Sequence, residues 1–414
     1  MTYKVNRYIG GILAMPLFLF SLTLNASDTG FWGEVWRAAK SHPEFSSFKA
    51  ANDAASVNLE IEKSRRYPVI SGVLARQDGE SSLVNTPSAW QTGLQLKYSL
   101  YDNYRQDARD EIAESEGRFE QLTAAERLEQ IMSDLAFAYL DMWHANAVQT
   151  EIDQAYKRVH ALLSKMSGES VKAEFSAIDR APLEQYLLEL ESLQLDMAML
   201  KQRAQNQWLL SGAGLPSETY FPALPHTEKA NNASLTRLRH EVAIEAGRQR
   251  LAEQEEGLSI DLSASHLWRQ YDGAGSISNH TIWSVSANMP LFDGGVQQSI
   301  IKRHTLRKAA KESALDVAKA QNDNELATLK QWLESKEQLI NNAGAQCQKL
   351  TLDLQQLEQL FSKSRAQLEN LFAASRLADQ CRIGLLSKEL EKWQGVVRMA
   401  ALSGGMMAYI EEEL

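Results

Sequence analysis

Cysteine and proline are scarce in this chain, with two of the first and nine of the second among 414 residues. A disulfide-stapled miniature fold and a cysteine-ligated metal cluster are both excluded. The eight histidines are scattered without ligand spacing, and no HExxH pair occurs. No Gly-x-Ser-x-Gly elbow is present. Gly212-Ala213-Gly214 and Gly273-Ala274-Gly275 lack the strand-to-helix setting of a phosphate loop and read as turns. No catalytic constellation, cofactor site or metal site is expected, so the chain does not read as an enzyme. Basic blocks are missing too, and acidic residues outnumber basic ones 53 to 43, which argues against nucleic acid as a partner.

Long apolar runs are absent after the first 26 residues, so no transmembrane helix is expected beyond them. Residues 1–26 read as a signal peptide: Lys4 and Arg7 precede the apolar run Ile9 to Leu24, and Leu24-Asn25-Ala26 offers a cleavage site. An uncleaved anchor is the alternative, but the run is short and broken by Gly10, Gly11 and Pro16. Cleavage removes two basic residues and no acidic one, moving the net charge from −10 to −12. Any membrane residence of the exported chain must then be through strands.

Strand patterns are present. In Trp90 to Asn103, Trp90, Thr92, Leu94, Leu96, Tyr98 and Leu100 alternate with Gln91, Gly93, Gln95, Lys97 and Ser99. In Thr281 to Gly295, Trp283, Val285, Ala287, Met289 and Leu291 alternate with Ser284, Ser286, Asn288 and Pro290. A period of two marks a strand with one apolar and one polar face. Both stretches end in an aromatic and Asp (Tyr101-Asp102, Phe292-Asp293) and run into a long helical pattern. Tyr67 to Gln77 and Leu258 to Gln270 supply a partner strand for each. The chain therefore reads as an internal duplication, 27–232 and 233–414, each with a helix, a β-hairpin (about 67–101 and 258–292) and a long helical hairpin.

The helical arms, Asn103 to Met166 and Val296 to Ser362, are each about 100 Å long at 1.5 Å per residue. Each folds back, the first at Ser167 to Ser170 and the second at Ser362 to Arg365, with Pro182 expected in the first turns of the first return helix. The second return helix is expected to reach about Ala408. The fold class is mostly α with a small β part. Aromatics at the strand ends match the girdles of an outer-membrane barrel. The polar positions Gln91, Gln95, Lys97, Ser286 and Asn288 suit a wet lumen. Four strands cannot close a membrane barrel, which leaves no edge unpaired in lipid. The chain must therefore oligomerise.

Cys347 and Cys381 lie 17 residues before and after Ser364, the middle of the second turn. An antiparallel hairpin places them at one height, facing the seam between its arms. In an exported protein this predicts a disulfide, if the Cα atoms come within range.

The strand end PLFDGG (Pro290 to Gly295), the duplication and the hairpin that follows resemble the TolC-like outer-membrane efflux proteins. So do the opening Trp36…Ala39…Pro43, the strand start at Pro68, and the segments at Asp179 and Leu368-Glu369-Asn370-Leu371. The resemblance spans nearly all of the mature chain. It implies a homotrimer, with a 12-stranded barrel in outer-membrane lipid and a helical barrel in the periplasm. A periplasmic adaptor (membrane fusion protein) and an inner-membrane transporter are the implied partners. It also implies a periplasmic tip or gate, here Ser364, Arg365, Glu369 and Asn370. Ser364 stands where relatives usually carry glycine, and Asn370 and Ala373 stand where some carry acids. Drug efflux, metal export and secretion of a large polypeptide all use this architecture. The alternative is a soluble periplasmic coiled-coil adaptor or scaffold, which needs the hairpins and leaves the strands unexplained.

Overall fold

The computed structural model describes residues 30–77, 89–167, 177–216, 220–222, 232–271, 277–360 and 365–411. The expected signal peptide, the loop 78–88, the first hairpin turn beyond Ser167, and Ser364 lie outside the described residues.

Two helices open the described chain, α1 (Phe31–Ser41) and α2 (Pro43–Ser64). Pro43 starts α2, and the His42 side chain caps it by accepting from the Glu44 amide at 3.2 Å. Strands β1 (Val69–Gln77) and β2 (Ala89–Tyr101) lead into α3 (Arg105–Ser167), and α4 (Ala177–Leu209) returns along it. After the connector comes α5 (Ala233–Glu255), capped by Asn232, whose side chain accepts from the Leu235 amide at 3.0 Å. Strands β3 (Ser259–Tyr271) and β4 (Ile277–Asn288) follow, then α6 (Val296–Leu360), α7 (Arg365–Ser403) and the short α8 (Met407–Glu411). The order helix, hairpin, long helix, return helix thus occurs twice.

Some boundaries differ from the sequence reading. β4 ends at Asn288, so Met289 and Leu291 are not strand residues; Pro290 has no amide hydrogen to give a ladder. The last long helix stops at Ser403, where Gly404 takes φ 75°, and α8 is separate. Pro182 is the sixth residue of α4, one turn deeper than the first-turn position that proline prefers.

The 63 residues of α3 and 65 of α6 make rods roughly 95 Å long. Shorter helices lie along them in two tiers. Near the strands, α2 and α5 pack on α3, and α5 also packs on α6; towards the far end, α4 and α7 pack on α3, and α7 on α6. Where the tiers meet, the largest hydrophobic core wraps α3 at mid-length. Phe31, Trp36 and Phe48 pack there with Leu128, Tyr139, Trp208 and Ile410. Phe31 and Tyr139 meet edge to face at 5.2 Å, and the Tyr139 hydroxyl accepts from the Tyr220 amide at 2.6 Å. A second core, nearer the far end, joins α3, α4, α6 and α7 through Val159, Leu183, Leu354, Leu368 and Leu371.

All four strands form one antiparallel sheet in the order β1-β2-β3-β4. The registers place the strand ends that join the helices at one end of the sheet and Gln77, Ala89, Tyr271 and Ile277 at the other, the loop end.

Candidate functional site

The strand registers decide which side chains share a face. Gln91, Gln95 and Lys97 stand opposite Arg269, Ser265 and Ser263. Ser263, Asp261 and Ser259 in turn stand opposite Ser284, Ser286 and Asn288. These form one polar face, interrupted by Val69, Val73, Leu267 and Ile282. The Gln91 carboxamide comes within 2.8 Å of Arg269 Nε. All five expected lumen positions, Gln91, Gln95, Lys97, Ser286 and Asn288, share this face.

The opposite face carries Leu74, Trp90, Leu94, Tyr98, Leu262, Trp268, Trp283 and Val285. Leu74 is 73% exposed and Trp283 70%, so none of the described residues covers it. A large uncovered apolar patch marks contact with lipid or another chain. Two of its polar exceptions are matched: His266 and Thr281 oppose each other and share a 2.6 Å hydrogen bond, and the His266 ring meets Trp268 edge to face at 4.5 Å. An irregularity between Ser99 and Tyr101 brings Tyr101 opposite Ile260, onto the apolar face at the helix end. Trp90 and Trp268 sit near the loop end. Strands of 13 residues in β2 and β3 exceed the ~9–11 that a tilted strand needs to cross a bilayer core. The outer edges of β1 and β4 have no partner within the sheet.

At the far end of the rods, a polar network lies beside the second core. Asp379 of α7 is fully buried. It is bound by the Arg158 guanidinium of α3, accepts from Arg382 at 2.9 Å, and accepts from the Tyr186 hydroxyl of α4 at 3.2 Å. Arg382 also reaches Glu151 at 3.2 Å, while Arg376 pairs with Glu189 at 2.8 Å and lies over the Tyr186 ring. Burial, with the Asp379 charge beside it, pushes the Tyr186 phenol well above the ordinary range. Three helices are thus tied together by ion pairs gathered around the buried Asp379.

Searches by sequence find no matching family model and no matching curated protein. Solved structures do match. CusC, described with transmembrane channel formation, superposes with a TM-score of 0.75 at 14% identity, over 93% of this chain and 96% of its own. The outer membrane protein VceC of Vibrio cholerae gives 0.75 at 13%, over 90% and 96%. The CmeC outer membrane channel of Campylobacter jejuni gives 0.72 at 12%, over 92% and 89%. The fold is TolC-like.

Within this fold the expected tip residues fall at the hairpin end of α7. Arg365 is its first residue, and Glu369 and Asn370 are exposed between the buried Leu368 and Leu371. The Asp379 network escaped the sequence reading, because its members lie on three helices, Arg158 and Asp379 being 221 residues apart. The one local signal was an acid beside the buried, apolar Ala378. Cys347 and Cys381 are joined, with Cα atoms 5.5 Å apart. Among the described residues, no cluster of His, Cys, Asp and Glu is arranged to hold a metal.

Proposed function

We propose that this chain is the protomer of an outer-membrane duct, which passes small molecules or an unfolded polypeptide from an inner-membrane transporter across periplasm and outer membrane. One observation carries the reading. The four-stranded sheet buries neither face: one is apolar and aromatic-bearing, the other polar, and the sheet stands on rods roughly 95 Å long. In lipid, such a sheet must close with copies of itself. Three copies supply twelve strands, turning the apolar face to lipid and Gln91, Gln95, Lys97, Ser286 and Asn288 to water. The paired helices then form a periplasmic tube whose far end meets an adaptor. Ser364, Arg365, Glu369 and Asn370 are assigned to that contact and to the gate. A soluble adaptor leaves the apolar face without a partner. The test is single-channel conductance of the detergent-extracted protein in a planar bilayer, with the oligomer mass measured alongside. Discrete openings from a trimer are expected; a water-soluble species without conductance overturns the reading.

A further inference from the structure

Gly344 of α6 and Gly384 of α7 sit inside long helices with open space around them: a Cβ at either would meet no heavy atom within 4 Å. Two other helical glycines are explained by close packing. A Cβ at Gly247 would stand 2.7 Å from Ile112 Cγ1, and one at Gly395 would stand 2.4 Å from Trp332 Cζ3. Within one protomer nothing comparable requires glycine at 344 or 384, yet each weakens its helix by about 1 kcal/mol relative to alanine. Asn341 and Asn342, also weak helix formers, precede Gly344 in α6.

The two glycines are level with each other. Gly344 lies three residues before Cys347 and Gly384 three after Cys381, and the disulfide fixes the register of the antiparallel pair. The seam between the helices holds only partly buried side chains here, with Ile383 and Leu386 beside Gly384 packing on the edge of the second core. No α6 side chain between Leu333 and Cys347 is buried, and no α7 side chain from Gln380 to Gln394 is. Above this stretch the helices share the core of Leu333, Val396 and Met399; below it they join the core of Leu354, Leu368 and Leu371.

We propose that the Gly344/Gly384 level is a flexure in the α6–α7 hairpin. The Cys347–Cys381 disulfide, one turn nearer the tip, clamps the helices so that the part beyond it swings as one body. That body packs on α3 and α4 through the second core and is tied to them as well by ion pairs, Arg158 with Asp379 and Arg376 with Glu189. Without the clamp, each helix would bend at its own glycine and α6, which buries little against its neighbours, would slide along α7. The flexure and clamp stand on the geometry alone; their use in opening a duct rests on the function proposed above.

Two measurements on the full-length, detergent-extracted oligomer test this. Hydrogen exchange comes first. In the G344A/G384A variant, amides around 341–346 and 383–388 are expected to exchange about fivefold more slowly or better, the factor that ~1 kcal/mol corresponds to, with fewer channel openings. Unchanged or faster exchange, or an oligomer that falls apart because the glycines pack between subunits, overturns the flexure. The second measurement is the distance distribution between spin labels at Asp353 and Ala373. It is expected to be narrow in the oxidised protein and to broaden after dithiothreitol. That reagent donates two electrons and two protons, ending as its cyclic disulfide and leaving two thiols. The C347S/C381S variant should match the reduced protein. A distribution indifferent to reduction overturns the clamp. If slowed exchange and broadened distances appear in a protein without conductance, the flexure stands and the duct falls.

Discussion

Asp102 and Asp293 cap the two long rods in the same way, although they lie about 190 residues apart. Asp102 accepts from the Gln106 amide at 2.7 Å, and Asp293 from the Gln297 amide at 2.6 Å. Each carboxylate reaches four residues ahead, to donors that the first turn of a helix leaves unpaired. The Gln297 and Gly295 amides hold the Asp293 carboxyl below the usual carboxylate range. The two residues after each Asp turn the chain from strand to helix with positive φ: 56° and 61° at Asn103 and Tyr104, 72° and 83° at Gly294 and Gly295.

Left-handed backbone favours glycine, so the two turns should answer oppositely to substitution. Gly295→Ala is expected to destabilise by about 1–2 kcal/mol. Tyr104→Gly should be neutral or stabilising, since it relieves the same strain at the cost of a ring contact with Tyr101. Thermal midpoints of the extracted protein check both. Equal losses at the two sites would mean that backbone strain does not govern the turns.

Asp379→Ala should lower stability by about 3 kcal/mol, because it leaves the Arg158 and Arg382 guanidiniums facing a buried gap. Since Asp379 ties α7 to α3 and α4, the same change should also raise the open fraction in single-channel records. A double-mutant cycle with Arg158→Gln is expected to show coupling between the two positions. Additive losses would remove the latch.

Burial pushes the Glu129 carboxyl up to about 8, with the nearby Glu126 charge adding to it. The folded state therefore holds a proton that the unfolded chain releases above its ordinary carboxyl range. Stability should fall as pH rises from about 4.5 to 8 and then level off, with a slope no steeper than about 1.4 kcal/mol per pH unit for this group. Glu129→Gln should flatten this component. A Tm against pH profile identical in the two proteins would exclude Glu129 as its source.

Neighbouring residues of β4 should respond very differently to charge. Trp283→Arg places a cation on the apolar face and is expected to cost ~2–4 kcal/mol in a membrane, cutting the yield of assembled oligomer. Ser284→Arg, on the polar face, should assemble normally and shift the ion selectivity of the pore. Equal yields would mean that the apolar face does not meet lipid.

Much of the fold was legible because its signals are periodic and local. The alternation in Trp90 to Leu100 reports strand faces directly, since successive side chains must point to opposite sides. The end of β4 was less legible: Met289 and Leu291 continue the alternation, yet Pro290 ends the ladder. The irregularity at Ser99 to Tyr101 was hidden as well, because an extra residue in one strand is defined only by its partner. Tyr101 reaches the apolar face through that pairing with Ile260 and not through its place in the pattern.

By itself, the sequence determined the strands, the long rods, and the level placement of Cys347 and Cys381. Each follows from spacing along one chain. Only the tertiary structure decided that β2 pairs with β3 across the rest of the first half, which aligns four polar edges into one face. It also brought Arg158, Tyr186 and Asp379 together, and left Gly344 and Gly384 in open space. Those outcomes depend on which helices lie side by side, and periodicity, which states only that a face exists, does not name the face that meets it.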